Sequence, residues 1–241
     1  MAEDVTVISA RRSYEFRADE IRLTLLSNRG VLRHIQEQFS FEVAAVNTPM
    51  ETFGPVQPSI PPGLIFDYGI TPFPEGQAAA IRFLHIEQRR IVIDVAAPSS
   101  VIDPTFHLLK GLLVDVLAFD GAPAIGQPTH TMDFSEITAR FPFPGEALLP
   151  PKLRSPYRRV FGIGNAQEET HIVPTLQVRV LPRNEEFAGS AARDIRSSFL
   201  ELRAGTVPAD QIFYSGAPLD SDSHIDILTE IERSLASQWK K

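Results

Sequence analysis

The segment best suited to binding an anion is the basic run KLRSPYRR at residues 152–159. Its cations are Lys152, Arg154, Arg158 and Arg159. Guanidinium and ammonium groups donate charge-assisted hydrogen bonds to phosphate and carboxylate, so the run predicts a site for a phosphorylated ligand or for the acidic surface of a partner. The alternative interpretation is a solvated linker in an acidic protein, which is the more common role of a charge run.

A second group of residues is suited to acid–base chemistry. His85 and Glu87 fall on one face of a predicted strand, and Asp94 lies on the strand that follows. A histidine beside a carboxylate can move a proton. No second histidine stands close enough in the sequence to complete a metal-ligand set, so neither a metal nor another cofactor is predicted. The alternative interpretation is that these side chains belong to a partly exposed face of the sheet.

The recognised catalytic motifs are absent from the sequence. It contains no G-x-S-x-G, H-E-x-x-H or Walker sequence, and its G-x-G at 162–164 lacks a strong helix after it. His130 and Asp133 could form a base and an orienting carboxylate, but no nucleophile in a recognised context accompanies them. The sequence therefore favours a protein that is not an enzyme.

Composition narrows the classes of partner. The formal net charge of −7 argues against nucleic acid as the main ligand, because phosphate backbones need a concentrated basic surface. Cysteine is absent, which removes disulfides and thiolate chemistry. No apolar run is long enough for a membrane span, and the first residues lack a signal-peptide pattern. A cytoplasmic protein with no membrane association is expected.

The stretch from Ala78 to Gly121 must provide the scaffold. Alternating apolar residues predict strands over 79–86 and 91–95. Asp103 is expected to cap the helix that follows, with Pro104 in its first turn. The apolar face of this helix predicts that it is buried, and it comprises Phe106, Leu109, Leu112, Leu113, Val116 and Leu117. Weaker patterns predict strands over 39–43 and 63–70, a short helix over 133–140, and a helix capped by Ser223.

A similar order of elements returns near the C-terminus. Both parts read strand, strand, Ala-Pro, polar cap and helix, and the Ala-Pro pairs begin at Ala97 and Ala217. The sequence thus predicts an α+β fold, with helices on one face of an antiparallel sheet and a pseudo-repeat of two halves. The expected division is 1–121, a proline-rich connection over 122–170, and 171–241, although one continuous domain would also fit.

Two functional hypotheses follow. The first is a non-enzymatic protein-binding or assembly module, part of a complex or a homo-oligomer, which contacts its partner through the proline-rich segments. The alternative is a binding protein or enzyme for a small anionic ligand, such as a nucleotide or phosphorylated metabolite, with its site between the two halves. Arg158 and Arg159 would then hold the anion, and His85 would be the acid or base.

Overall fold

The computed structural model describes residues 3–17, 20–21, 23–47, 63–72, 78–119, 125–160, 173–179, 199–207 and 210–239. Across these ranges, nine strands form one antiparallel sheet that is accompanied by helices. The predicted α+β class and the antiparallel pairing are therefore confirmed.

The strands are β1 (Glu3–Glu15), β2 (Val43–Asn47), β3 (Gly63–Pro72), β4 (Ala78–Glu87), β5 (Arg90–Val95), β6 (His130–Arg140), β7 (Thr175–Arg179), β8 (Phe199–Ala204) and β9 (Ile212–Ala217). The α-helices are α1 (Leu23–Leu26), α2 (Arg29–Gln38), α3 (Ile102–Phe119), α4 (Pro151–Val160) and α5 (Ser221–Trp239). Short 3₁₀ turns cover Ser99–Val101 and Gly145–Leu148. The strand order in the sheet is β2-β3-β4-β5-β1-β6-β9-β8-β7.

The chain divides into two compact units. One, the continuous unit, is Ser9–Asp133, and the other, the split unit, combines Met1–Ile8 with Phe134–Lys241. Strands β1 and β6 each contribute residues to both units. Each unit contains two paired strands followed by a long helix: β4, β5 and α3 in one, β8, β9 and α5 in the other. The pseudo-repeat stays a prediction, as does the predicted division at residues 121 and 170.

The core of the continuous unit lies between its sheet and helix α3. Strand β5 pairs with β1 on one side and with β4 on the other, and Ile91 to Val95 are all buried. Phe106, Leu109 and Leu113 on α3 are buried in the same apolar cluster. Their spacing of three and four residues puts them on one side of the helix, so the predicted burial of this helix is confirmed over that segment.

The core of the split unit is rich in phenylalanine. The rings of Phe141 and Phe213 lie 4.7 Å apart between centroids, and the ring of Phe143 lies 5.3 Å from Phe141. Tilted rings at these separations pack favourably because of their quadrupoles. Leu228 of α5 joins this cluster, and Val5 and Val7 of β1 pack against it.

Two of the weaker predictions were wrong. The segment predicted as a helix over 133–140 lies in strand β6, where Ser135, Ile137 and Ala139 are buried with a period of two. The strand predicted over 39–43 begins only at Val43. Before it, α2 ends at Gln38 and Ser40 turns the chain with a φ of 50°.

Both predicted helix caps were also wrong. Helix α3 begins at Ile102, so Asp103 lies inside its first turn, and Asp103 accepts a hydrogen bond from the Tyr14 hydroxyl at 2.8 Å. At the start of α5 the capping side chain is Asp220. It accepts hydrogen bonds from the backbone N–H of Asp222 and of Ser223, at 3.1 and 2.9 Å. These bonds satisfy donors that the first helical turn leaves without a partner.

A charged cluster links β1 to the start of α3. Arg12 donates to Asp103 at 2.8 Å and to Asp133 at 2.6 Å, and Tyr14 stacks on Phe106 with 3.9 Å between ring centroids. Burial raises the pKa of Asp103, but the hydrogen bonds donated by Arg12 and Tyr14 outweigh it and hold this pKa below its usual value. Arg12 therefore provides a positive charge that two carboxylates share.

We expect an Arg12→Gln substitution to lower the free energy of unfolding by roughly 2–3 kcal/mol, because it leaves Asp103 and Asp133 without their cation. The Arg12 side chain is only 16% exposed. The matched control is Arg33→Gln, which removes a 77% exposed arginine from an ion pair with Glu37 and should cost roughly 0.3–0.5 kcal/mol. Urea denaturation measures both, and equal effects of the two substitutions would contradict a stabilising role for the cluster.

Candidate functional site

The basic run folds into helix α4. Pro150 and Pro151 introduce the helix, and the N–H of Leu153 donates to the Pro150 carbonyl at 2.8 Å. Proline is favoured in the first helical turn because backbone N–H groups there have no partner within the helix, so the lack of an N–H in proline loses no hydrogen bond. Another proline, Pro156, lies inside the helix and has no N–H to donate to the carbonyl four residues earlier. The helix contains no acidic residue, so no carboxylate within it balances the charge of its cations.

Arg154 is held rigidly by the neighbouring backbone. Its Nε donates to the carbonyl of Leu149 at 3.0 Å, and an Nη donates to that of Ala147 at 3.3 Å. The guanidinium also lies over the ring of Trp239, with 4.7 Å between Cζ and the ring centroid. This cation–π contact joins α4 to the end of α5 within the split unit. Arg154 thus has a fixed position rather than a mobile one.

Arg158 lies one turn further along the same helix. Its guanidinium donates to both carboxylate oxygens of Glu146, and these hydrogen bonds raise the pKa of Arg158. The arginine side chain is still 53% exposed, whereas that of Glu146 is 19% exposed. The ion pair therefore orients Arg158 and leaves much of its guanidinium open to solvent.

Lys152 and Arg159 occupy the exposed side of α4. Neither has an ion-pair partner among the residues that the structure describes. Like-charged neighbours on a helix destabilise it by a few tenths of a kcal/mol per pair. Within the part of the chain that the structure describes, these two cations and the two oriented arginines form a local positive surface on a protein whose net charge is −7.

Arg154 and Arg158 border a cleft of about 390 Å³ in the split unit. It is lined by Pro151, Arg154, Ser155, Arg158 and Trp239. The cleft offers guanidinium donors, a hydroxyl group and the face of an indole ring. Such a set can bind a carboxylate or a phosphate and pack an apolar or planar group beside it. We refer to this surface, together with Lys152 and Arg159, as the basic cleft.

The predicted acid–base pair lies in the continuous unit. His85 Nδ1 is 3.3 Å from Glu87 Oε1, so the structure brings these residues together. Arg90 also donates to Glu87, at 2.6 Å, and His85 is only 8% exposed. A side chain added at Gly63 would approach His85 Nε2 to 2.8 Å, so the imidazole is packed against backbone. A catalytic role for His85 and Glu87 stays a prediction.

Asp94 does not join that pair. It is 1% exposed and accepts a hydrogen bond from Arg11 Nε at 2.9 Å, while Arg82 Nε lies 3.5 Å from its other oxygen. The register of the sheet explains the separation, because His85 pairs with Val92 and Asp94 pairs with Phe83. His130 and Asp133 were predicted as a base and its orienting carboxylate, and the structure shows Asp133 bound to Arg12. The G-x-G segment at 162–164 lies outside the described residues.

The sequence interpretation missed a buried histidine network in the split unit. His224 is fully buried on α5, with Nδ1 2.8 Å from Ser135 Oγ and Nε2 2.8 Å from Ser215 Oγ. Ser215 Oγ also donates to the Glu201 carbonyl at 2.7 Å. The available signal was the position of His224 four residues before Leu228, which places it on the buried side of the helix.

This network has one arrangement of protons that satisfies every group. Ser215 has a single hydroxyl proton and gives it to the Glu201 carbonyl, so His224 must donate from Nε2 to Ser215. Nδ1 then accepts from Ser135. A histidine that donates to a serine cannot take that serine's proton, and Ser135 is fully buried. The network fixes β6, β9 and α5 in place rather than activating a nucleophile.

Two further properties of the described residues bear on the class of site. No group of three or more acidic or histidine side chains is placed to hold a metal ion. Among the helices that the structure describes, none combines the length and apolarity needed to span a membrane. A scan against protein-family models and a search of curated proteins both found no match to this chain.

The His224 network makes stability depend on pH. Burial lowers the pKa of His224 to about 4, below its ordinary value of 6.5. The unfolded chain then binds a proton that the folded chain rejects, so stability falls as pH drops from 6.5 towards 4. Between pH 7 and pH 5 we expect a loss of roughly 2 kcal/mol from this residue.

Urea denaturation at the two pH values measures this loss. In a His224→Gln variant, which keeps a donor and an acceptor but does not titrate, the contribution should disappear. His34, an exposed histidine of α2, supplies the matched control, His34→Gln. A pH dependence that is the same in the His224 variant as in the unmodified protein would contradict the assignment.

Proposed function

We propose that this protein is a non-enzymatic binding module whose basic cleft holds an acidic segment of a protein partner. The observation that carries the proposal is the contrast within α4. Arg154 and Arg158 are fixed in position by carbonyls and by Glu146, while Lys152 and Arg159 are exposed and have no ion-pair partner within the described ranges. Pre-oriented donors reduce the entropy lost on binding, and exposed cations accelerate the encounter with an acidic partner.

The apolar groups beside the cations favour a peptide. Leu153 is 44% exposed on α4, and the indole of Trp239 borders the cleft. An extended acidic segment could place carboxylates on the guanidinium groups and an apolar side chain against the indole. The predicted contribution of the proline-rich segments concerns residues that lie largely outside the described ranges, and it stays a prediction.

A small anionic ligand is the second candidate. The hydroxyl of Ser155 supports it, because this group would give a compact anion a hydrogen-bond donor beside Arg154 and Arg158. The cations that would hold a phosphate are the same ones that would hold a carboxylate, so the two candidates must be separated by experiment.

Trp239 provides a direct test because it is the only tryptophan of the chain. Its fluorescence should change when an acidic peptide is added and should recover as salt concentration rises, since exposed ion pairs are screened. The Arg158→Ala/Arg159→Ala double variant should bind at least roughly tenfold more weakly, which corresponds to about 1.4 kcal/mol for two charge-assisted contacts.

The matched control is Arg233→Ala, which removes an exposed arginine of α5 that pairs with Glu230 at 2.5 Å. This control should bind the peptide as the unmodified protein does. A response to inorganic phosphate or pyrophosphate but not to the peptide would favour the small-ligand candidate. The absence of any fluorescence or thermal-stability response to both classes of anion would overturn the proposal.

A further inference from the structure

Strand β2 forms an unusually unprotected edge. It is the terminal strand of the sheet on the side of the continuous unit, and the described strands include none that pairs with its outer edge. Edge strands usually carry a charge, a proline or a bulge that prevents pairing with another chain. The sequence of β2, VAAVN, has no charge and no proline, and its register with β3 is continuous. Strand β7, at the other end, contains an arginine.

The outer backbone groups of β2 can be assigned from its inner ones. The N–H of Glu42 donates to the Tyr68 carbonyl on β3 at 3.2 Å. Antiparallel pairing alternates, so Ala44 and Val46 direct their N–H and C=O groups towards β3, and Val43 and Ala45 direct theirs outward. No described strand takes up these outward donors and acceptors, which an added strand could bind.

A groove lies beside this edge. It has a volume of about 800 Å³ and runs between α2 and the start of β2. Leu32, Phe41 and Ala44 contribute apolar surface to its lining, and the charged side chains that line it are Arg29, Arg33, Glu37 and Glu42. Val46 is on the same face of β2 as Ala44 and is 44% exposed. A strand added to β2 would place alternate side chains over this groove, as in other cases of strand addition beside a helix.

We infer that β2 is the edge at which a second copy of this chain adds its own β2 strand. Antiparallel pairing about a two-fold axis at Ala45 places Ala44 opposite Val46 of the partner subunit, on the side of the groove. The pairing covers Val46 of each copy and opposes no like charges within the strand. Because the strand itself is uncharged and pairs with its own copy in register, a second copy is the occupant that this edge fits. The inference does not depend on the basic cleft.

The decisive substitution is Ala45→Pro. It removes an N–H that points outward while preserving the inner hydrogen bonds to β3, and proline is tolerated on edge strands. Val46→Lys is a second variant, which introduces a charge at the edge without altering any backbone donor. Each should raise the dissociation constant of the dimer at least roughly tenfold and leave the thermal midpoint close to that of the unmodified protein.

Sedimentation equilibrium over a concentration series provides the measurement. The expected result is a dimer for the unmodified chain and for Val207→Lys, a control at a 53% exposed valine in the split unit. Ala44→Pro serves as the control for the inner edge and should lower the thermal midpoint, because it breaks the β2–β3 ladder. A monomer at every concentration, or dimerisation unaffected by both Ala45→Pro and Val46→Lys, would overturn the inference.

Discussion

The interaction on which the fold depends is the burial of one face of an antiparallel sheet beneath a long helix. In the continuous unit, α3 supplies this cover and β5 lies completely inside. In the split unit, α5 does the same for β6, β8 and β9. Burying roughly 150–250 Å² for each aromatic ring makes this the dominant favourable contribution to stability. The covering helices leave other surfaces open to solvent, among them the edge strand β2 and helix α4.

The two units accommodate buried polarity in different ways. In the continuous unit, the buried carboxylate of Asp94 is matched by Arg11 and Arg82, and Arg12 binds Asp103 and Asp133. In the split unit, burial keeps His224 neutral, and its two neighbours are hydroxyl groups. The stabilisation from an ion pair is lost only when the pH is low enough to protonate its carboxylate. A buried neutral imidazole lowers the free energy of unfolding already at mildly acidic pH.

Periodicity in the sequence correctly indicated the fold class, strands β3 to β5 and the buried face of α3. It failed where a local signal had two interpretations. The segment over 133–140 contains residues that suit either a helix or a strand, and only pairing with β9 decides between them. Asp103 resembles a cap, but Arg12 and Tyr14, distant in sequence, bind its carboxylate.

For the candidate site, the basic run was identifiable from residue types alone. Long-range packing, which no local pattern encodes, determines that this run forms a helix. It also determines that two carbonyls hold Arg154 and that Trp239 lies beside it. His224 could have been placed on the buried side of its helix, but its serine partners come from two strands distant in the sequence.

The split unit is formed from two separate segments of the chain, and this affects the order of folding. Residues 9–133 are continuous, so that unit can gather all its contacts as soon as this length of chain has been synthesised. The split unit needs residues before position 9, where Val5 and Val7 pack on its core, to meet segments made more than a hundred residues later. Closing so long a loop is slow. The C-terminal part of β1 can therefore pack early within the continuous unit. Its N-terminal part can complete its packing in the split unit only after α5 has been synthesised.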